Sequence, residues 1–192
     1  MKAIFMSGSS RTNVGKKDAK ALRGEGLVPC VLYGGGKQIH FSAPEMAFKP
    51  LLYTPDVHTV ELEIEGAKYQ AILQDIQFHA ISDKLLHADF LEVSNDKPVN
   101  IAIPVKATGN SVGVRAGGKL KIKLRKLKVR ALLNDLPDTI DIDITPLEIG
   151  QGVKIGQLEV QGVTFLESPN IEVLGVSATR ASRQAAQDEG KK

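Results

Sequence analysis

His87 and Asp89 are the residue pair whose types and spacing best suit proton or hydrogen-bond chemistry in this sequence. They lie two positions apart in a segment predicted to be a strand, so both side chains point to the same face. Ala88 and Phe90 then point to the opposite face, which predicts that they are buried. A His and an Asp on one face can act as an acid–base pair or hydrogen-bond to a polar ligand. Because no Ser or Cys stands in a recognisable nucleophile elbow, the pattern favours hydrogen bonding to a polar ligand over catalysis.

A second polar group lies on the strand predicted over residues 68–78. Strict alternation places Gln74 on the face of Ile76, and Asp75 on the opposite face with Gln77. Carboxylates accept hydrogen bonds from amino groups, and Gln both donates and accepts, which suits the edges of nucleic-acid bases. The alternative is a polar strand that faces solvent.

Basic residues are concentrated in two segments of the chain. Residues 1–37 contain seven bases and two acids, whereas residues 38–94 contain three bases and nine acids. Residues 119–130 contain seven bases and no acid, and residues 131–176 contain one base and eight acids. Such segregation indicates a polyanionic partner, with nucleic acid as the first candidate. An unevenly charged, solvated surface is the alternative.

The composition of the 192 residues excludes several classes of protein. Aromatic residues make up 5% and Trp is absent, so large stacking platforms for single-stranded nucleic acid are not expected. The single cysteine, Cys30, excludes an intrachain disulfide framework and a zinc ribbon, and the four His lack metal-ligand spacing. No apolar stretch approaches the roughly 18 residues of a membrane span. We therefore predict a cytoplasmic protein without a metal, a cofactor or a membrane partner.

Period-two alternation predicts a mainly β protein. A linker is expected over residues 94–98, where Asn, Asp and Pro are close together. The predicted domains are residues 1–94, with α+β structure, and residues 95–176, all β, followed by a disordered tail over 177–192. The expected strands are 28–33, 37–41, 57–65, 68–78, 85–93, 99–107, 119–133, 139–144, 153–163 and 171–176, and the expected helices are 16–23 and 44–52.

The basic stripe, residues 119–130, is predicted to be a single strand with alternating basic and apolar residues. The doublet Arg125-Lys126 shifts the phase by one residue, which commonly indicates a β-bulge. One interpretation is an edge strand protected by lysines against aggregation. The other is a second RNA-facing surface formed by Lys119, Lys121, Lys123, Arg125 and Lys128.

A series of short motifs, in order along the chain, resembles a known family. Four bases at positions 11, 16, 20 and 23 precede the motifs PCVLYGG (29–35), QDIQ (74–77), LHADF (86–90), VGVRAGG (112–118) and LEIG (147–150). The series resembles the bacterial large-subunit ribosomal protein "L-twenty-five" family, in the long form known as general stress protein CTC. The resemblance covers about residues 2–176.

The resemblance implies a small β-barrel with short helices, then an all-β domain, and no enzymatic activity. It implies a structural constituent of the large ribosomal subunit whose N-terminal domain binds the loop E region of 5S rRNA. The large subunit and 5S rRNA are thus the expected partners, with no small-molecule substrate. Lys20 stands where relatives often have Arg. A lysine there replaces the bidentate contact of an arginine by a point-charge contact. The RNA-binding residues carried over are Arg11, Lys16, Lys20, Arg23, Tyr33, Gly34, Gln74, Asp75, His87 and Asp89.

Physical chemistry supports these roles. The bases of residues 11–23 would neutralise phosphates, while the polar strand residues would contact 2′-hydroxyls and base edges. Tyr33 would pack on a ribose or hold the glycine turn, and Gly34–Gly36 would let the backbone approach RNA closely. Two other functions stay open at this point: an RNA-processing hydrolase that uses His87 and Asp89, and a free stress protein that binds another structured RNA. The contacts of the second domain stay open as well.

Overall fold

The computed structural model describes residues 2–54, 56–94 and 96–180. These residues form two compact units. One unit comprises the described residues up to Val99 together with Leu132–Asn134, and the other comprises Asn100–Ala131 and the described residues from Asp135 on. Strands dominate both units, which confirms the predicted fold class. In the described part of the chain, no helix is long and apolar enough to cross a membrane.

Six strands of the first unit form a closed barrel. They are β1 (Lys2–Ser10), β2 (Leu27–Tyr33), β3 (Ile39–Pro44), β4 (His58–Ile64), β5 (Ala67–Phe78) and β6 (Leu85–Glu92). Their order around the barrel is β1-β3-β2-β6-β5-β4, with β1 parallel to β4 and β2 parallel to β6. The strands predicted over 57–65 and 68–78 are β4 and β5, and they form a hairpin through Glu65 and Gly66, whose φ angles of 51° and 81° suit a type I′ turn.

Strand β1 was not predicted, although it is needed to close the barrel. Met6 is buried and points inward, but its neighbour Phe5 is 58% exposed, so an outward aromatic residue hides the alternation. Seven consecutive residues of β1 pair with β4, more than fifty positions away in the chain. This long-range pairing places β1 in the barrel and is not visible in the local sequence.

The barrel core fixes the orientation of β6. Ala88 and Phe90 are fully buried, as the alternation predicted. The Phe90 ring packs between the rings of Phe41 and Phe48, with centroid distances of 5.7 and 6.2 Å. Burying a side chain of this size contributes roughly 1.5–3 kcal/mol. Because these residues point inward, the alternate residues of β6 must point outward.

The first unit also contains helices α1 (Lys16–Gly24) and α2 (Lys49–Leu52). Helix α1 matches the prediction. The helix predicted over residues 44–52 is instead a 3₁₀ turn, Glu45–Phe48, followed by the single turn of α2. Pro50 explains the difference because it has no backbone N–H to bond the carbonyl four residues earlier.

The remaining elements build two further sheets. They are β7 (Val99–Thr108), α3 (Val112–Arg115), β8 (Lys119–Ile122), β9 (Lys126–Ala131), β10 (Ile140–Asp143), β11 (Gly152–Lys154), β12 (Thr164–Phe165) and β13 (Glu172–Ser177). One sheet has the order β10-β7-β9-β12, and the other has the order β11-β13-β8. Helix α3 was not predicted, and the Ser111 hydroxyl caps it by accepting from the backbone N–H of Val114.

Two strand predictions in the second unit were wrong. Residues 119–130 do not form one bulged strand, because β8 and β9 belong to different sheets and the phase shift marks the corner between them. The backbone N–H groups of Lys123 and Leu124 donate to Val173, whereas the carbonyl of Arg125 accepts from Val105. The strand predicted over 153–163 is confined to β11, because a 3₁₀ turn over Ile155–Gln157 ends it.

The predicted tail begins within regular structure. Ser177 is the last residue of β13 and pairs with Lys119. Residues 181–192, where most of that prediction falls, lie outside the described residues.

Candidate nucleic-acid interface

The centre of the candidate site is the outward face of β6. His87 Nδ1 lies 2.7 Å from Asp89 Oδ1, and the two side chains are 30% and 33% exposed. Strand β2 borders β6 on one side, where Val31 pairs with Asp89. Strand β5 borders it on the other side, where Gln77 pairs with His87. The predicted pair therefore lies in the middle of three hydrogen-bonded strands of the barrel.

A β-bulge in β5 changes the predicted placement of Gln74. The register shifts between Leu73 and Asp75, so Gln74 and Asp75 together oppose Asp89. Both residues are exposed, whereas Ile76 packs against the core. The prediction that Gln74 shares the face of Ile76 was wrong because strict alternation fails at a bulge. The consequence is one more polar side chain at the site.

Tyr33, the last residue of β2, lies beside the same acidic groups. Burial raises the pKa of the Tyr33 hydroxyl, and the charges of Asp89 and Asp75 raise it further. The phenol therefore stays protonated at neutral pH and is available as a donor. Asp75 and Asp89 are acceptors when ionised. The face thus presents donors and acceptors side by side.

The structure gives an internal reason for the glycine after Tyr33. Gly34 has a φ of 115°, and a Cβ there would lie 2.9 Å from Leu91 Cδ1 and 3.0 Å from the Glu92 carbonyl oxygen. A Cβ on Gly35 would overlap the Glu92 carboxylate, whereas one on Gly36 would meet open space. Gly34 is therefore required by packing against the end of β6, independently of any ligand.

Helix α1 presents a cationic face beside this site. Lys16, Lys20 and Arg23 are spaced i, i+4, i+7 and fall within an arc of about 60° around the helix axis. All three are exposed. The helix packs against β2, and Arg23 Nε donates to the Leu86 carbonyl at 2.9 Å. Because Leu86 immediately precedes His87, this contact brings the cationic face to the edge of the polar cluster.

Arg11 differs from the other predicted cations. Its side chain is only 9% exposed, and its Nη2 lies 2.5 Å from Asp18 Oδ2. Asp18, in the first turn of α1, was not among the predicted site residues. No helix or strand periodicity links two residues across the loop between β1 and α1, so only the folded chain reveals the pair.

The five predicted residues of the basic stripe are divided between two sheets and the link that joins them. Lys119 and Lys121 are exposed on β8, an edge strand of its sheet. Lys123 is paired with Glu172, with Nζ 2.5 Å from Oε2, and Arg125 lies in the link between the sheets. Lys128 is exposed on β9, in the other sheet.

The chemistry available at the site is hydrogen bonding and charge attraction. Within the described residues, no three His, Cys, Asp or Glu side chains are grouped as metal ligands would be. Cys30 is buried, and burial raises the pKa of its thiol far above neutrality, so it is not a nucleophile. A mixed donor and acceptor face beside a cationic helix is typical of a protein that binds structured nucleic acid.

Comparisons with known proteins identify the family. The model of the Ribosomal L25p family matches residues 6–90, and that of the Ribosomal protein TL5, C-terminal domain, matches residues 98–180. Large ribosomal subunit protein bL25 of Porphyromonas gingivalis is 44% identical over 97% of this chain and 98% of its own length. The protein of that name from Phocaeicola vulgatus is 44% identical over the whole of both chains. The chain belongs to the Ribosomal L25p family, in the long form with a second domain.

Membership of this family settles the question of enzymatic activity. The relatives are ribosomal structural proteins and not enzymes, which confirms the corresponding prediction. The hydrolase alternative for His87 and Asp89 is therefore removed.

Proposed function

We propose that this protein is a structural constituent of the large ribosomal subunit, present with ribosomes in the cytoplasm, and that its N-terminal unit binds 5S rRNA at loop E. The family and the names of its members support the ribosomal role. The observation that carries the RNA-binding part is the His87–Asp89 pair, held on the barrel beside the Arg23 end of α1.

Recognition divides between shape, charge and hydrogen bonding. A-form RNA hides the base edges of its deep major groove, so proteins contact phosphates, 2′-hydroxyls and the shallow minor groove. A region of non-canonical pairs, such as loop E, exposes further edge groups. A mixed donor and acceptor surface on a rigid barrel suits such a target because its geometry is fixed before binding.

The residues of the site take complementary roles in this proposal. Lys16 and Lys20 contact phosphates, which supplies affinity that depends on salt. His87, Asp89 and Tyr33 hydrogen-bond to 2′-hydroxyls and base edges, which supplies specificity. The two residues of the β5 bulge, Gln74 and Asp75, extend this edge, and Gln77 joins them because it lies opposite His87.

The test is binding of the purified protein to 5S rRNA and to a variant whose loop E is replaced by Watson–Crick pairs. We expect chemical protection of loop E and a large loss of affinity for the variant. Equal affinity for both RNAs, or for an unrelated duplex of the same length, contradicts loop E recognition. Identifying the RNA that copurifies with the protein tests the remaining alternative, a free stress protein on another structured RNA.

We extend the proposal to a second RNA surface on β9. Lys126, Lys128 and Arg130 are exposed, whereas Leu127 and Val129 between them are fully buried. These three bases form no ion pair within the described residues. Like charges on alternate positions repel one another, and a polyanion relieves that cost.

The two halves of the basic stripe can be separated by mutation. Replacing Lys126, Lys128 and Arg130 by Gln is expected to weaken association with large subunits without aggregation. Replacing Lys119 and Lys121, which lie on the edge strand β8, is expected to cause aggregation and leave association unchanged. Unchanged association of the β9 variant refutes this second surface.

A further inference from the structure

Helix α1 packs against β2 with half-buried residues such as Leu22, but it has little apolar anchoring. It has nine residues, none of them buried, and its N-cap residue Gly15 provides no side-chain hydrogen bond. Isolated helices shorter than about 12–15 residues are marginal in water, and most helical stability in proteins comes from a packed apolar face. The cationic face of α1 therefore depends on polar contacts, in addition to this partial packing, for its position.

Two arginines supply such contacts, one near each end of the helix. Near the N-terminus, Arg11 pairs with Asp18. Near the C-terminus, Arg23 Nε donates to the carbonyl of Leu86 in β6. An acid in the first turn also interacts favourably with the helix dipole, so Asp18 suits its place in α1 in two ways.

The surroundings of Arg11 tie α1 to the barrel. Its backbone N–H donates to the His40 carbonyl of β3 at 2.8 Å, and its Nη2 also donates to the Asn13 carbonyl at 3.3 Å. The side chain is 9% exposed, and its Nε is enclosed with no hydrogen-bond partner among the described residues. To reach a phosphate, this guanidinium would have to leave Asp18 and its enclosed position.

We propose that Arg11 is a positioning residue and not a phosphate contact. Its ion pair with Asp18 fixes the first turns of α1, so that Lys16 and Lys20 are presented to the RNA. The inference rests on the proposed RNA-binding function. It assigns to Asp18 a role that its charge alone would contradict, because an acid beside a polyanion is expected to weaken binding.

That contradiction gives a test in which the two interpretations predict opposite signs. Asp18→Asn removes one negative charge and keeps the size of the side chain. If Arg11 contacts a phosphate, the substitution frees the guanidinium and removes repulsion, so binding becomes tighter. If Arg11 positions α1, the helix loosens and binding becomes weaker. An α1 formed in about one molecule in ten would weaken binding about tenfold.

The experiment compares full-length wild type, Asp18→Asn, Arg11→Gln and the double variant in filter binding to 5S rRNA across salt concentrations. We expect similar losses in both single variants and no further loss in the double variant, because residues of one ion pair are not additive. The matched control is Glu25→Gln, which removes an exposed acid at the other end of α1. Its binding should be unchanged or slightly tighter.

A second readout does not depend on RNA. Amide hydrogen exchange over Ala19–Arg23 should be faster in Asp18→Asn than in wild type and Glu25→Gln, while amides of β6 remain protected. Tighter or unchanged binding of Asp18→Asn, or unchanged exchange in α1, overturns the positioning role. If the wild type does not bind 5S rRNA but amide exchange in α1 is still faster in Asp18→Asn, the proposed function fails. The role of the Arg11–Asp18 ion pair in holding α1 then still stands.

Discussion

Replacing both Lys16 and Lys20 by Gln isolates the charge of α1 from its structure. Both side chains are exposed, and neither forms an ion pair or a hydrogen bond within the described residues. Gln is a good helix former, so the helix should persist. The double substitution therefore removes two charges from the proposed interface and leaves the barrel and the two arginine contacts of α1 intact.

The expected magnitude follows from counterion release. Each phosphate contact contributes roughly 0.7–0.9 to the slope of log K against log salt, so two contacts contribute about 1.4–1.8. Over a fourfold change in salt, a slope difference of this size corresponds to about a seven- to twelvefold difference in the affinity change. The double variant should bind weakly at low salt and lose much less of its affinity as salt rises.

The assay is filter binding to 5S rRNA at salt concentrations spanning that fourfold range. Circular dichroism and the urea midpoint show whether the fold is kept. Lys17→Gln is the matched single-charge control, because Lys17 lies about 100° around the helix from Lys16. A folded double variant with the wild-type slope would refute the placement of RNA on this face of α1.

Three further predictions concern the barrel and its polar face. His87→Ala and Asp89→Ala should each cost roughly 1–3 kcal/mol of binding to 5S rRNA and less on a generic duplex; equal losses on both would indicate a structural role. Phe90→Ala should lower the free energy of unfolding by about 3–5 kcal/mol in urea titrations, because this ring is fully buried between two others. Gly34→Ala and Gly36→Ala should both cost roughly 1–3 kcal/mol of backbone strain, because both glycines have a positive φ, of 115° and 88°. Gly34→Ala should destabilise the protein further, because only its Cβ would clash with Leu91 and Glu92; equal effects would remove the packing argument.

Local patterns predicted those elements whose neighbours in space are also neighbours in sequence. The alternation over residues 57–78, with turn residues between, led directly to the β4–β5 hairpin. The helix expected over residues 16–23 is α1, whose residues are close together in the sequence. His87 and Asp89 could be placed together because side chains two apart on a strand always share a face.

Other features depend on partners that are distant in the sequence. The bulge at Gln74 appears only when β5 is paired with β6, and it brings an extra polar side chain to the site. The corner at Lys123–Arg125 appears only when β8 and β9 are assigned to different sheets. The sequence shows a phase shift at Arg125-Lys126 and no irregularity at Gln74. In both cases the pairing with a partner strand decides the local structure.

The sequence by itself determined the mainly β fold, the family, and the chemical character of the candidate interface. Side-chain types, spacing and ordered motifs are local properties, and they are readable without a partner. Only the tertiary structure decided that β1 closes the barrel and that Arg11 is enclosed against Asp18. The physical reason is that strand partners and ion pairs are selected by burial and by non-local contacts, which join segments that local periodicity cannot connect.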